Sequence, residues 1–342
     1  MVTDLKSWQT QNRAAIAQRL EGIGEIEQQY CCFEPSGVHF IAVNKEESLL
    51  QLALFDQINL SSELMQSEID LKEPLKLTSF YAQAMLLGLV WQPQPQRIYI
   101  AGFGGGRIPL VLHHYFPNLQ IECTEIDPTI VQVAQEFFGV KLDSRLQVAI
   151  QDGRAYLADL DLTVSYDLIM ADVILGNGYA PYRMATVEFY QLCQKRLSQG
   201  GIAIVNLIQK DPFYLEKIRT IHSAFQHIYL CPLEKGNTAI FATNQPLRSR
   251  LEIIEQATQI DSEHQFAFPF VDRAQQIITP DQIHEYLPDL EKAQILTDEE
   301  PPQDYFAQLP SFKTVFAKVN PELPCPCGSG SLYQDCHGKP TL

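Results

Sequence analysis

Four short clusters in this 342-residue chain combine residue types that can hold and activate a ligand. The first is Gly102-Phe103-Gly104-Gly105-Gly106, where Gly102, Gly104 and Gly106 let the backbone turn sharply and approach a bound group with no Cβ in the way. Glu125 follows about twenty residues on, where a carboxylate accepts hydrogen bonds from both hydroxyls of a ribose and the next residue, Ile126, lies beside the base. Asp152-Gly153 is the third cluster: a side-chain oxygen of Asp152 can accept from an adenine amino group, or cap the following helix, and the two roles are compatible. The fourth, Asp172, is an isolated carboxylate that can act as a base.

These residues need a scaffold that sets them side by side. From position 97 onward, strand-like runs at 98–101, 120–125, 146–150, 166–171 and 202–207 alternate with helical runs starting near 107 and at 128–138, 184–197 and 212–225. That βαβ alternation predicts a Rossmann-like, mostly parallel α/β sheet. All four clusters fall at the C-terminal ends of successive strands, where open parallel sheets bind ligands. Two further runs, 228–231 and 238–242, flank Lys235-Gly236-Asn237 and predict an antiparallel hairpin closing the sheet. Ahead of this domain, 4–29 has helical spacing, and short β-like runs at 31–33, 38–43 and 49–55 predict a small antiparallel sheet. A helix over 79–91 is stopped by Pro93 and Pro95. The resulting division is 1–95, an N-terminal helix and small β region; 96–245, the nucleotide-binding domain; 246–320, a helical region; and 321–342, a cysteine-rich tail.

Composition narrows the partners. Apolar residues make up 46% and charged residues 19%, ordinary globular usage, and the apolar run at 84–91 is far too short to span a bilayer. The first twenty residues have no apolar core, so no export signal is read, and a cytoplasmic location is expected. A net charge of −16 repels nucleic acid and anionic lipid, so neither nucleic acid nor membrane is expected as a partner. Of eight cysteines, Cys325, Cys327 and Cys336 cluster with His337, a complete tetrahedral set of thiolate and imidazole donors. Four protein ligands leave no position for substrate, so a structural zinc is expected there. The remaining cysteines are expected as reduced thiols.

The motifs as a set resemble the spermidine synthase family, within the class I methyltransferase fold. The resemblance spans roughly 63–242 and rests on Gln66-Ser67, Tyr81, IYIAGFGGG at 98–106, ECTEID at 122–127, QDGRAYL at 151–157, YDLIMADV at 166–173 and EFYQLCQKRLSQGG at 188–201. It implies the glycine turn beside the methionine-like part of the ligand, Glu125 on the ribose, Asp152 on the adenine, and Gln66 with Tyr81 closing over the reacting end. The co-substrate implied is S-adenosylmethionine or its decarboxylated form, and the acceptor a small-molecule amine or another small acceptor. Members of the family commonly form dimers or tetramers, so a homo-oligomer is implied as well. The tail resembles the SEC-C motif, a zinc-binding appendage, and a protein partner docking through it is expected.

The sequence departs from the family where chemistry happens. An aspartate usual in the glycine turn falls at Gly105, the second aspartate of the strand-end pair is Leu175, and a histidine usual six residues after the tyrosine is Leu87. Each lost charge-assisted hydrogen bond removes roughly 1.5–3 kcal/mol from diamine binding. The resemblance makes aminopropyl transfer to an amine, as in polyamine biosynthesis, the first expectation, while the missing carboxylates favour methyl transfer to a small acceptor as the alternative, with Asp172 as base in either. A third reading is a degenerate nucleotide sensor that docks a protein through its tail. Tyr179 and Tyr182 stand where they could grip an acceptor or belong to a surface loop, and His113 and His114, at a helix end, are read as structural, with nothing nearby to pair with.

Overall fold

The computed structural model describes residues 4–24, 30–36, 39–56, 63–173, 180–302 and 305. Two sheets organise the chain. The smaller is an antiparallel meander of β1 (Tyr30–Ser36), β2 (His39–Glu46), β3 (Leu49–Asp56) and β4 (Glu63–Asp70). The sequence pattern missed β4 because its inward face is not uniformly apolar: Met65 is half exposed, Ser67 is buried and polar, and only Ile69 is a conventional core residue. Ser67 serves the glycine turn, as described below.

The larger sheet comprises β5 (Arg97–Ala101), β6 (Gln120–Glu125), β7 (Leu146–Ile150), β8 (Tyr166–Ala171), β9 (Leu197–Ile208), β10 (His227–Pro232) and β11 (Asn237–Thr243), in the order β10-β11-β9-β8-β5-β6-β7. The pairings β8-β9, β5-β8, β5-β6 and β6-β7 are parallel, whereas β11 pairs antiparallel with both β9 and β10, as the hairpin signal predicts. Alternate residues of the central strands enter two different cores. Ile98, Ile100, Leu168, Met170, Ile202 and Ile204 join one; Tyr99, Ala101, Ile169, Ala171, Ala203 and Val205 join the other. Burial on both faces explains why these strands read as continuous apolar runs.

Helices cover both faces. They are α1 (Leu5–Gly24), α2 (Phe80–Met85), α3 (Arg107–Tyr115), α4 (Pro128–Phe137), α5 (Gly153–Asp159), α6 (Val187–Arg196), α7 (Tyr214–Ala224), α8 (Arg250–His264), α9 (Phe270–Ala274) and α10 (Ile283–Tyr286). Asp127 caps α4 by accepting from the Thr129 N–H, with Pro128 in the first turn where a missing N–H costs nothing. The helix expected over 79–91 tightens after Met85 into a 3-10 turn, Leu86–Val90, in which Gly88 packs so closely on β9 that a Cβ would lie 2.7 Å from Ile204.

The segments outside the central sheet are tied to it. The Trp8 indole N–H on α1 donates to the His114 carbonyl, and Arg19 donates to that of Gly139. At the other end, Arg154 and Asp298 form an ion pair, Tyr182 donates to the Thr297 carbonyl at 2.6 Å, and Leu230 and Ile278 form an antiparallel bridge. His113 and His114 do have partners, contrary to expectation: His113 Nε2 lies 2.9 Å from an Asp143 oxygen, and His114 Nδ1 lies 3.1 Å from the Asn12 amide. Burial nonetheless lowers both pKa values, that of His114 to about 4, which favours the neutral imidazole in each. Cys123, Cys193 and Cys231 are buried free thiols. Among the described residues no helix is long and apolar enough to cross a membrane.

Candidate functional site

The strand order reverses direction at β5, which has β8 on one side and β6 on the other. The connections leaving β5 and β8 therefore diverge and open a crevice at their C-terminal ends. Gly102, directly after β5, has φ +91°, and a Cβ there would lie 2.2 Å from the Asp172 carbonyl oxygen. No other residue type fits. Gly104 and Gly106 also have positive φ, +53° and +65°, and Gly106 is the N-cap of α3.

This turn aims backbone donors at Glu125. The Phe103 and Gly104 N–H groups donate to its Oε2 at 3.3 and 3.4 Å, while those of Ile126 and Asp127 donate to Oε1 at 2.8 and 3.2 Å. Burial raises the Glu125 pKa, and these four donors pull it back. The two long bonds leave Oε2 the weakly satisfied oxygen, the better placed to accept from a ligand hydroxyl. Ile126, the next residue, is 75% exposed. Asp152 Oδ1 caps α5, accepting from the Ala155 N–H at 2.8 Å, and the side chain is exposed, so its second oxygen remains available. Gly153 has a packing reason: a Cβ there would lie 2.9 Å from the Tyr99 hydroxyl and 3.0 Å from that of Thr124.

On the other side of the turn is a pocket lined by Gln66, Ser67 and Glu68 of β4, Tyr81 of α2, Gly102 and Gly104 of the turn, Arg107 of α3, and Asp172. The structure thus brings Gln66, Tyr81 and Asp172 together, as the sequence implied. Asp172 Oδ1 accepts from the Asn206 amide at 3.0 Å, and the Asn206 oxygen accepts from Asn237 in turn, also at 3.0 Å. Burial pushes the Asp172 pKa up to about 6 against the opposing pull of Asn206. The Tyr81 hydroxyl donates to the Gln66 carbonyl at 3.3 Å; burial, reinforced by the charge of Asp172, lifts its pKa well above that of a free phenol.

Two residues of this pocket, Ser67 and Arg107, and Asn206 behind Asp172 were given no role by the sequence. Ser67 Oγ accepts from the Gly105 N–H at 2.8 Å, and a Cβ at position 105 would lie 2.7 Å from Ser67 Cβ and 3.1 Å from Phe138. An aspartate at 105 therefore requires Ser67 to move. Asn206 comes from β9, which no spacing rule links to Asp172. Arg107 opens α3 at the positive end of the helix dipole, an adverse place for a cation, and that mismatch was the available signal. Leu87 is fully buried and does not line the pocket. Leu175, Tyr179, Cys325, Cys327, Cys336 and His337 lie outside the described residues; among the described ones no cluster could hold a metal ion.

The chain has a class I methyltransferase-like fold with a small antiparallel sheet in front. Residues 80–234 match the spermine/spermidine synthase domain family and residues 323–339 the SEC-C motif. The chain is 30% identical over 185 residues to a polyamine aminopropyltransferase of Vibrio vulnificus, a match spanning 53% of this chain and 62% of the relative. It is also 30% identical over 199 residues to the eEF1A lysine and N-terminal methyltransferase of Xenopus laevis, spanning 53% and 29%. The chain thus covers less than two thirds of either relative. Among solved structures, a probable spermidine synthase from Corynebacterium glutamicum superposes with TM-score 0.64 at 18% identity, covering 81% of this chain and 99% of that one. Human methyltransferase-like protein 13 in complex with SAH superposes with TM-score 0.52 at 27% identity, covering 56% and 95%.

Proposed function

We propose that this protein is a transferase that moves an alkyl group from an adenosyl sulfonium donor to an amine or another small acceptor, with methyl transfer from S-adenosylmethionine the form its pocket supports best. The observation that carries the reading is the contact between Ser67 and Gly105, which fills the place of an aspartate that a diamine-binding site of the resembled family would use. The donor's ribose rests on Glu125 and its adenine lies between Ile126 and Asp152, while the sulfonium faces the pocket. A neutral amine then attacks the carbon beside sulfur; the C–N bond forms as the C–S bond breaks, and the electron pair stays on sulfur as a neutral thioether. The amine's surplus proton passes to Asp172, held in place by Asn206. In-line positioning of the acceptor supplies most of the rate. SAH in the human methyltransferase-like relative supports donors of this kind.

Aminopropyl transfer from the decarboxylated donor is the second reading, favoured by the family match and by the Vibrio vulnificus relative. Incubating the protein with diamines and amino-acid amines, with each donor in turn, separates the two by mass spectrometry. S-adenosylhomocysteine is the expected product; methylthioadenosine from the decarboxylated donor would instead establish aminopropyl transfer. Tight nucleotide binding with neither product would point to a sensor. Zinc at Cys325, Cys327, Cys336 and His337 is part of the proposal: metal analysis is expected to find about one zinc per chain, and retention of zinc by Cys327→Ser would overturn the four-ligand set.

A further inference from the structure

Arg107 is only 6% exposed and is one of the residues that line the pocket. Its Nη2 donates to the carbonyls of Pro74 at 2.5 Å and Lys76 at 3.4 Å. Its Nε and Nη1 are buried and have no acceptor among the described residues. A guanidinium is planar and holds its charge at any physiological pH, and burial lowers this one only to about 10. Among the described residues no carboxylate lies within 4.0 Å of it, although Glu68 and Asp172 line the same pocket; Glu68 is engaged by the Gln51 amide at 2.8 Å and Asp172 by Asn206. Gln66, another residue lining the pocket, also has a buried amide nitrogen, Nε2, with no acceptor among the described residues.

A buried cation at the positive end of a helix, with two of its three nitrogens unsatisfied, is costly in isolation and calls for an anion. A diamine would add positive charge to that site, and so would a sulfonium lacking a carboxylate. S-adenosylmethionine brings a carboxylate at the end of its methionine portion, the part that the glycine turn places nearest this pocket. We propose that Arg107, assisted by Gln66, binds the carboxylate of the donor's methionine portion and so selects S-adenosylmethionine over its decarboxylated form. The assignment rests on the reading that an adenosyl sulfonium donor occupies the crevice with its ribose on Glu125.

Calorimetric titration of the full-length protein with adenosine, S-adenosylmethionine and decarboxylated S-adenosylmethionine tests it, because the two donors differ only in the carboxylate. Wild type is expected to bind S-adenosylmethionine at least about tenfold tighter than the decarboxylated donor. Arg107→Gln should lose that preference through weaker S-adenosylmethionine binding, with adenosine and the decarboxylated donor held within about twofold, and Arg107→Lys should retain part of it. Equal donor affinities in wild type overturn the proposal, as does an equal loss of all three ligands in a folded Arg107→Gln, which would make the residue a brace for the Pro74 and Lys76 carbonyls. Should Arg107→Gln fail to fold, Gln66→Leu must narrow the preference between the donors, or the proposal falls. Failure of wild type to bind any of the three nucleosides would sink the underlying site reading instead. A carboxylate-bearing acceptor binding in an Arg107-dependent manner, with no donor preference, would also overturn the donor assignment and move the anion to the acceptor.

Discussion

The two halves of the crevice are built by different means. On the β6–β7 side, Glu125 and Asp152 sit immediately past their strands and are held by nearby backbone, Glu125 by the N–H groups of Phe103, Gly104, Ile126 and Asp127, and Asp152 by the turn it caps. On the β4–α2 side every element depends on a distant one: Ser67 braces Gly105, Asn206 holds Asp172, Arg107 reaches back to Pro74 and Lys76, and Tyr81 meets Gln66. On the proposed reading the first half is an adenosine platform that local geometry maintains. On the same reading the second half decides the reaction, and there the chain departs from the family it resembles. Binding and chemistry should therefore be separable by mutation.

The largest separation is expected at Asp172. Asp172→Asn should lower turnover by about 10²–10⁴-fold, the range of a lost general base, with nucleotide affinity within a few fold of wild type. The pH profile follows from the raised pKa: the carboxylate is the reactive form, so activity should fall as pH drops through about 6. Stability carries the opposite sign. A carboxyl whose folded pKa lies above its unfolded value favours the folded state at low pH, and that contribution is lost as pH rises through about 6. Asp172→Asn should thus gain stability relative to wild type as pH rises from about 4 to about 6 and keep that gain above it, read as a difference in thermal midpoint that widens and then levels off. Unchanged turnover would remove Asp172 from the chemistry and leave the reacting half without a base.

That contrast also explains what could be read from sequence. Gly102, Glu125 and Asp152 announce themselves because each lies within a short motif at a strand end, where type and spacing already express the geometry. The alternation of the central strands and the Gly236 hairpin were legible for the same reason. Ser67, Asn206 and Arg107 were not, since each acquires its role from a partner more than thirty residues away. Strand β4 was lost with Ser67, whose burial is spent on the glycine turn and breaks the apolar alternation. Leu87 stood in a family position that carries a histidine, yet here it is simply a core residue in the tightened 3-10 turn.

A smaller effect should separate binding from chemistry in the other direction. Glu125→Ala removes an acceptor of charged hydrogen bonds worth about 1.5–3 kcal/mol each, so nucleotide affinity should fall by at least about tenfold. Calorimetry gives the number directly. Turnover at saturating donor should fall far less than in Asp172→Asn. Were affinity unchanged, the adenosine platform would have to be placed elsewhere, and the comparison between the two halves would collapse.

Asp152 offers the finest test, because it combines two roles within one half. Its Oδ1 accepts from the Ala155 N–H and caps α5, while the exposed side chain is also the expected acceptor for the adenine amino group. Asp152→Ala removes both, at a cost of about 0.5–2 kcal/mol for the cap. Asp152→Ser keeps an oxygen that can cap but is one atom shorter. If the adenine contact exists, both variants should weaken nucleotide binding by a few fold, while only Asp152→Ala lowers the thermal midpoint. If the residue is a cap alone, affinity should follow stability, with the serine variant resembling wild type in both. Either result fixes how far the local geometry of the β6–β7 side extends toward the base, because the serine oxygen can replace the cap but falls short of the adenine.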